Sequence, residues 1–249
     1  MSRNAVGSIA ISFAVFVLAW KAIVLIGGYP TFILPPPEAV ADRFVRAWLD
    51  GLMTPHAVTT LQEVALGFAL GAGTGLAVGY GLARSAVVER LVSPYIVAAQ
   101  ATPILALAPL FALWFGAGLA SKVVICGLIV CFPIAVSTMV GIRSVDTGLL
   151  EMARSVRATR RQVLLTLEIP AAMPSIFGGM RVGVTLAVVG AIVGEWAGAR
   201  EGLGVLVNLA RGSLFDIPLM FATLVTIVLL GIVLYTVVVV LERRLVGVR

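Results

Sequence analysis

The chain has 249 residues, of which 60% are hydrophobic and 12% charged, and its 18 Lys and Arg against 12 Asp and Glu give a net charge of +6. A soluble domain is about 45–50% apolar and about 25% charged, so this chain has too little polar surface to cover itself in water. Its positive charges border apolar blocks, and no basic face is interleaved with aromatic rings, which excludes a nucleic-acid-binding surface.

Apolar blocks at 8–28, 60–83, 94–115, 121–141, 175–196 and 218–241 are each near the roughly 20 residues that cross a bilayer. Backbone amides in hydrocarbon must be satisfied within the segment, so each block predicts a helix. The expected fold is an all-α integral membrane protein of six transmembrane helices, forming one domain over 1–249. The first block follows Arg3 but exceeds the ~7–15-residue core of a secretory signal, and Gly27-Gly28-Tyr29-Pro30 offers no small-x-small cleavage site, so it reads as a retained anchor. Lys21 lies inside it.

Positive charge beside a span stays in the cytoplasm. One side of the predicted bundle carries Arg3, Arg84, Arg90, Arg143, Arg154, Arg157, Arg160, Arg161, Arg181, Arg243, Arg244 and Arg249; the other carries Arg43, Arg46, Lys122, Arg200 and Arg211. Both termini are therefore expected in the cytoplasm.

The external segment 29–59 holds Leu34-Pro35-Pro36-Pro37-Glu38, a stiff extended run, and then Val40, Phe44, Ala47 and Trp48 at the spacing of an amphipathic helix along the membrane surface. Such a helix either offers a rim to a partner or covers the bundle. His56, the single histidine, removes any metal site needing two histidines and reads as a surface residue of this loop.

In the second block Gly67, Gly71, Gly75 and Gly79 recur every fourth residue, a ridge that lets another helix approach closely, in this chain or in a second copy. The third block contains Pro103 and Pro109, so kinks are expected there. Beside them Gln100 and Thr102 either line a translocation path or bond a neighbouring helix. Cys126 and Cys131, in the fourth block, point about 140° apart on a helix and cannot chelate one ion. No metal site is expected.

In the cytoplasmic loop 143–174, Leu149, Met152, Ala153 and Val156 share one helical face while Arg154, Arg157 and Arg161 line another. This helix needs an apolar cover, or lies on anionic headgroups. Glu195 ends the fifth block; a carboxylate there orients solute, gates the path or pairs with Arg200.

Glu151-Met152-Ala153 and Leu167-Glu168-Ile169-Pro170 together resemble the signature of binding-protein-dependent ABC transporter permeases, Glu-Ala-Ala followed by a glycine and later by Ile-x-Leu-Pro. Met152 stands at the second position of that triplet, where the signature has alanine, and Arg157 stands where the family usually has glycine. The similarity runs on through Leu34-Pro35-Pro36-Pro37, Leu105-Ala106-Leu107-Ala108-Pro109-Leu110, Trp114-Phe115-Gly116 and Gly202-Leu203-Gly204. It is nearest the subgroup importing sulfonates, taurine, nitrate, or pyrimidine and riboflavin-type compounds, and the run from Gly183 to Gly194-Glu195-Trp196 leans to the last of these.

The resemblance implies a type I ABC importer permease fold in a bacterial cytoplasmic membrane, with cytoplasmic coupling helices between helices 4 and 5. Glu151, Met152, Ala153, Arg154, Arg157, Leu167, Ile169 and Pro170 would then meet the ATPase subunit. It implies two permease copies, two ATPase copies and an extracytoplasmic solute-binding protein, in contact with membrane lipid. ATP and Mg would bind the ATPase and no cofactor this chain, which has no Gly-x-x-x-x-Gly-Lys-Ser/Thr loop and no catalytic site of its own. The competing class is an autonomous channel or ion-coupled secondary carrier, for which broken helices and membrane carboxylates are also expected.

Overall fold

The computed structural model describes residues 3–247, which are helical and contain no strand. Arg249, counted above among the cytoplasmic charges, lies outside them. The helices are α1 (Arg3–Gly27), α2 (Pro37–Leu49), α3 (Met53–Arg84), α4 (Ala86–Ala101), α5 (Ile104–Phe115), α6 (Leu119–Arg143), α7 (Thr147–Ser155), α8 (Arg160–Val163), α9 (Ile169–Trp196), α10 (Leu203–Gly212) and α11 (Ile217–Val246). A π-helical turn over Leu164–Glu168 joins α8 to α9.

Four helical stretches are long and apolar enough to cross a membrane: Met53–Arg84, Leu119–Arg143, Arg160–Trp196 and Ile217–Val246. The bent pair α4–α5 makes a fifth only if the two helices are one broken span, and the described apolar part of α1, Ile11–Gly27, is shorter. The protein is a multi-pass membrane protein. Most of α1 exposes its large apolar side chains, among them Phe13, Leu18 and Ile26, as a helix facing lipid does.

The glycine ridge of α3 lies against α6 of the same chain. A Cβ at Gly67 would overlap Cys126 Cβ and one at Gly79 the Ala135 carbonyl, while one at Gly71 would stand 2.6 Å from the Gly127 carbonyl and one at Gly75 2.7 Å from that of Cys131. Only hydrogen fits at those distances, so the four glycines allow the helices to meet backbone to backbone. On the other side of α6, α9 uses Gly179, Gly183, Gly190 and Gly194 against Pro133, Ile134, Cys126 and Lys122. The central core is the seam of this α3–α6–α9 layer, built on Val64, Val130, Ile134, Ala187 and Ala191.

The third apolar block is not a single kinked helix. It begins earlier, at Ala86, and breaks at Thr102–Pro103, where α4 and α5 meet at 96°. The proline ring disfavours helical geometry in the residue before it, and Thr102 is extended at φ −76°, ψ 126°. Pro109 and Pro94 both stay inside their helices.

The amphipathic helix of the 29–59 segment is α2, with Pro37 in its first turn as its fixed φ favours. Ala47 belongs to the buried cluster of Met53, Leu203, Leu206 and Leu219, and α2 is seated chiefly on α11. Arg43 Nε donates to Asp216 Oδ2 at 2.7 Å and anchors it at the start of α11.

Candidate translocation path and coupling site

At one end of the layer, the first amides of α10 are capped from three directions. Gly202 N–H donates to His56 Nδ1 at 3.0 Å, Leu203 N–H to Thr60 Oγ1 at 2.8 Å and Gly204 N–H to Glu195 Oε2. Thr60 Oγ1 in turn donates to Glu195 Oε1 at 2.5 Å. A carboxylate at a helix N-terminus is favoured by both the free amides and the dipole. Gly202, at φ 133°, is required here, since a Cβ would overlap the Glu195 carboxyl group.

This geometry corrects three sequence expectations. His56 is a buried residue of α3 and not a surface loop residue, with its Nδ1 packed against the Gly202 backbone. Glu195, 1% exposed, forms no ion pair with Arg200; its oxygens are taken by Thr60 and the Gly204 amide. Lys122, read above as an external flanking charge, is buried, with Nζ donating to the Ala117 carbonyl. Glu63 lies with it at a cavity of about 550 Å³ whose rim carries Arg200 and Glu201.

Gln100 and Thr102 lie elsewhere. They line a cavity of about 600 Å³ bounded by the α4–α5 break, α6 and α9, together with Phe132, Ser137, Leu186 and Val193. No charged side chain lines it, and Glu195 is not part of its wall. Thr102 Oγ1 donates to the Ala98 carbonyl at 2.9 Å, which satisfies a backbone group near the break.

At the arginine-rich end, α7 starts where Asp146 Oδ1 accepts from Gly148 N–H at 2.6 Å. It ends in a Schellman arrangement: Ala158 N–H donates to the Ala153 carbonyl at 2.9 Å and Arg157 N–H to that of Arg154 at 3.0 Å. Arg157 takes the left-handed conformation, φ 53°, so the backbone keeps the turn a glycine would make. Thr159 and Gln162 then form a reciprocal capping box for α8.

Leu149, Met152 and Val156 are exposed on α7, at 44%, 57% and 71%, beside exposed Glu151 and Arg154. Ala153 departs from its expected place. It is buried within the chain itself, facing inward from α7, and Met152 is the projecting residue. Of the second half of the signature, Leu167 is half-buried while Ile169 and Pro170 are exposed. The π turn closes with Ile169 N–H donating to the Leu164 carbonyl, and Pro170, lacking an amide hydrogen, follows directly.

The tie from this loop to the bundle is Glu168, which sequence reasoning passed over as part of a motif. Its buried carboxylate receives Arg84 Nη1 at 2.9 Å and Nη2 at 2.7 Å. Arg84 also stacks over Tyr80, 4.9 Å from the ring centroid. This bidentate pair joins the last residue of α3 to the turn between the loop and α9. Arg143, at the end of α6, reaches Glu89 of α4 at 2.7 Å and the Leu82 carbonyl at 2.8 Å.

Residues 69–247 match the family described as binding-protein-dependent transport system inner membrane component. The chain belongs to this family. It is an ABC transporter permease. It is 45% identical over 227 residues to the riboflavin transport system permease protein RibX of Chloroflexus aurantiacus, covering 91% of this chain and 84% of that one. To the formylaminopyrimidine transport permease protein ThiX of Halalkalibacterium halodurans it is 37% identical over 220 residues, covering 88% and 87%. The fold is shared with the permease in inward-facing structures of the MetNI methionine ABC transporter, at TM-score 0.70 and 22% identity over 80% of this chain and 97% of that one.

Proposed function

We propose that this permease forms half of the translocation unit of an ATP-driven importer, as one of two copies, with two ATPase subunits at its arginine-rich end and a solute-binding protein opposite. In this reading there are six crossings, α1 being the first and α4–α5 together the third, and both termini are cytoplasmic. The single observation that carries the coupling role is the exposed apolar face of α7, centred on Met152, on a helix tied to the spans through the π turn and the Glu168–Arg84 pair. An apolar ridge outside the bilayer calls for a protein cover, and ATP-driven movement of that cover reaches α3 and α9 through the same turn.

The solute is an uncharged heteroaromatic compound of the riboflavin or pyrimidine type, and not a sulfonate, taurine or nitrate. The 600 Å³ cavity beside the α4–α5 break supports this, because Gln100, Ser137 and Phe132 offer hydrogen bonds and an aromatic face but no cation for an anionic group. The two relatives compared above are named for riboflavin and formylaminopyrimidine transport.

Receptor-stimulated ATP hydrolysis by the reconstituted transporter tests both parts. Met152→Asp leaves the permease inserted and removes the stimulation, since an unpaired charge is forced into an apolar contact. Wild-type hydrolysis responds to receptor loaded with riboflavin and not with taurine. Full stimulation of the Met152→Asp variant would reject the coupling role of α7, and stimulation by taurine would reject the solute class.

A further inference from the structure

Two cavities at the arginine-rich end share a wall. One, of about 700 Å³, is a basic cup lined by Arg84, Arg154, Arg160 and Tyr80, with Glu168 as its acidic member. Glu168 is neutralised by Arg84, whereas Arg154 and Arg160 make no ion pair among the described residues. The second, of about 490 Å³, is an apolar groove along α3, α6 and α9, lined by Leu76, Ile142, Leu164, Ile169, Ile176 and Phe177. Tyr80 belongs to both, and the π turn with its two flanking residues reaches the cup through Val163 and Glu168 and the groove through Leu164 and Ile169. Arg84, where cup and groove approach, is the last residue of the apolar helix α3, the level at which a membrane interface lies.

A site with two unneutralised cations at interface depth and an apolar channel leading from them into the hydrocarbon has the chemistry of one ligand class. We propose that this composite site binds an anionic glycerophospholipid of the surrounding leaflet, its phosphate in the Arg154–Arg160 cup and an acyl chain in the groove past Tyr80. Cup and groove together touch α7, α8, the π turn, α3 and α9. The bound lipid therefore braces the coupling loop against the spans, alongside the Glu168–Arg84 pair. A soluble phosphate meets only half of this site, since it gains nothing from the groove, and a zwitterionic lipid gains little net attraction from the cup.

Native mass spectrometry of the full-length permease in detergent, titrated with phosphatidylglycerol or phosphatidylcholine of matched chains, tests the site. Each arginine near a membrane surface contributes a factor of about 5, so phosphatidylglycerol binds about 25-fold more tightly than phosphatidylcholine. The double variant Arg154→Ala, Arg160→Ala abolishes that preference. Ile176→Trp, which fills the groove and keeps every arginine, weakens phosphatidylglycerol about tenfold, the equivalent of two buried methylenes. Glycerol 3-phosphate does not compete. Equal binding of the two lipids by the wild type, a preference that persists in the double variant, unaffected binding in the Ile176→Trp variant, or displacement by glycerol 3-phosphate would each overturn the proposal; the single Ile176→Trp variant decides it even where the double variant does not fold.

Discussion

Arg157 holds a left-handed backbone at φ 53° with its side chain exposed, so the turn after α7 carries strain that no side-chain hydrogen bond or ion pair among the described residues offsets. A left-handed residue with a Cβ costs roughly 1–2 kcal/mol, and glycine loses part of that gain through its freer unfolded chain. Arg157→Gly therefore stabilises the loop by about 1 kcal/mol. Thermal unfolding of the detergent-solubilised permease should shift upward by about 2–4 °C, as expected for a chain of this size. An unchanged or lowered midpoint would show that the guanidinium has a partner whose loss outweighs the relief. The same scale shows what a single sequence hides. His56 and Glu195 read as a loop residue and a path residue, because nothing in their neighbours reveals that three amides at the start of α10 need acceptors, the first of them 146 residues from His56. Glu168 was legible as a motif member only; its partner Arg84 lies 84 residues away.

Among the elements, the α3–α6 pair is the tightest seam, and its glycines differ sharply from their neighbours. A Cβ at Gly71 would meet the Gly127 carbonyl and Val130 Cβ at 2.6 Å, whereas one at Gly73 meets nothing within 4 Å. Gly71→Leu forces two backbones apart, at the roughly 1–3 kcal/mol or more typical of overpacking, and should reduce the yield of folded permease. Gly73→Leu, two residues along the same helix, should leave yield near wild type on size-exclusion chromatography. Equal yields would place the close approach elsewhere. The every-fourth-residue spacing made the α3 ridge readable, whereas the α9 glycines form only two separate four-residue steps, Gly179–Gly183 and Gly190–Gly194, inside a long apolar run. Pro103 announced a disturbance without its size. Whether a proline kinks a helix or ends it depends on what receives the freed backbone, and here Thr102 turns extended and caps back to Ala98.

For the molecule as a whole, hydropathy located the α3, α6, α9 and α11 crossings because hydrocarbon forces every amide into a helix. It could not show that α2 rests on α11, or that the third block divides, since both depend on packing between distant segments. The resulting arrangement sets an uncharged cavity beside α6 and α9 at one level and an exposed apolar helix at the arginine-rich end at another, with the π turn and the Glu168–Arg84 pair between them. In the proposed function the cavity is the path and α7 the lever on which an ATPase subunit sits. The mass of the permease purified after co-expression with its ATPase subunit tests this most directly. The account predicts a particle of two permease and two ATPase chains; a stable, transport-competent particle containing permease alone would contradict it and favour an autonomous channel or carrier.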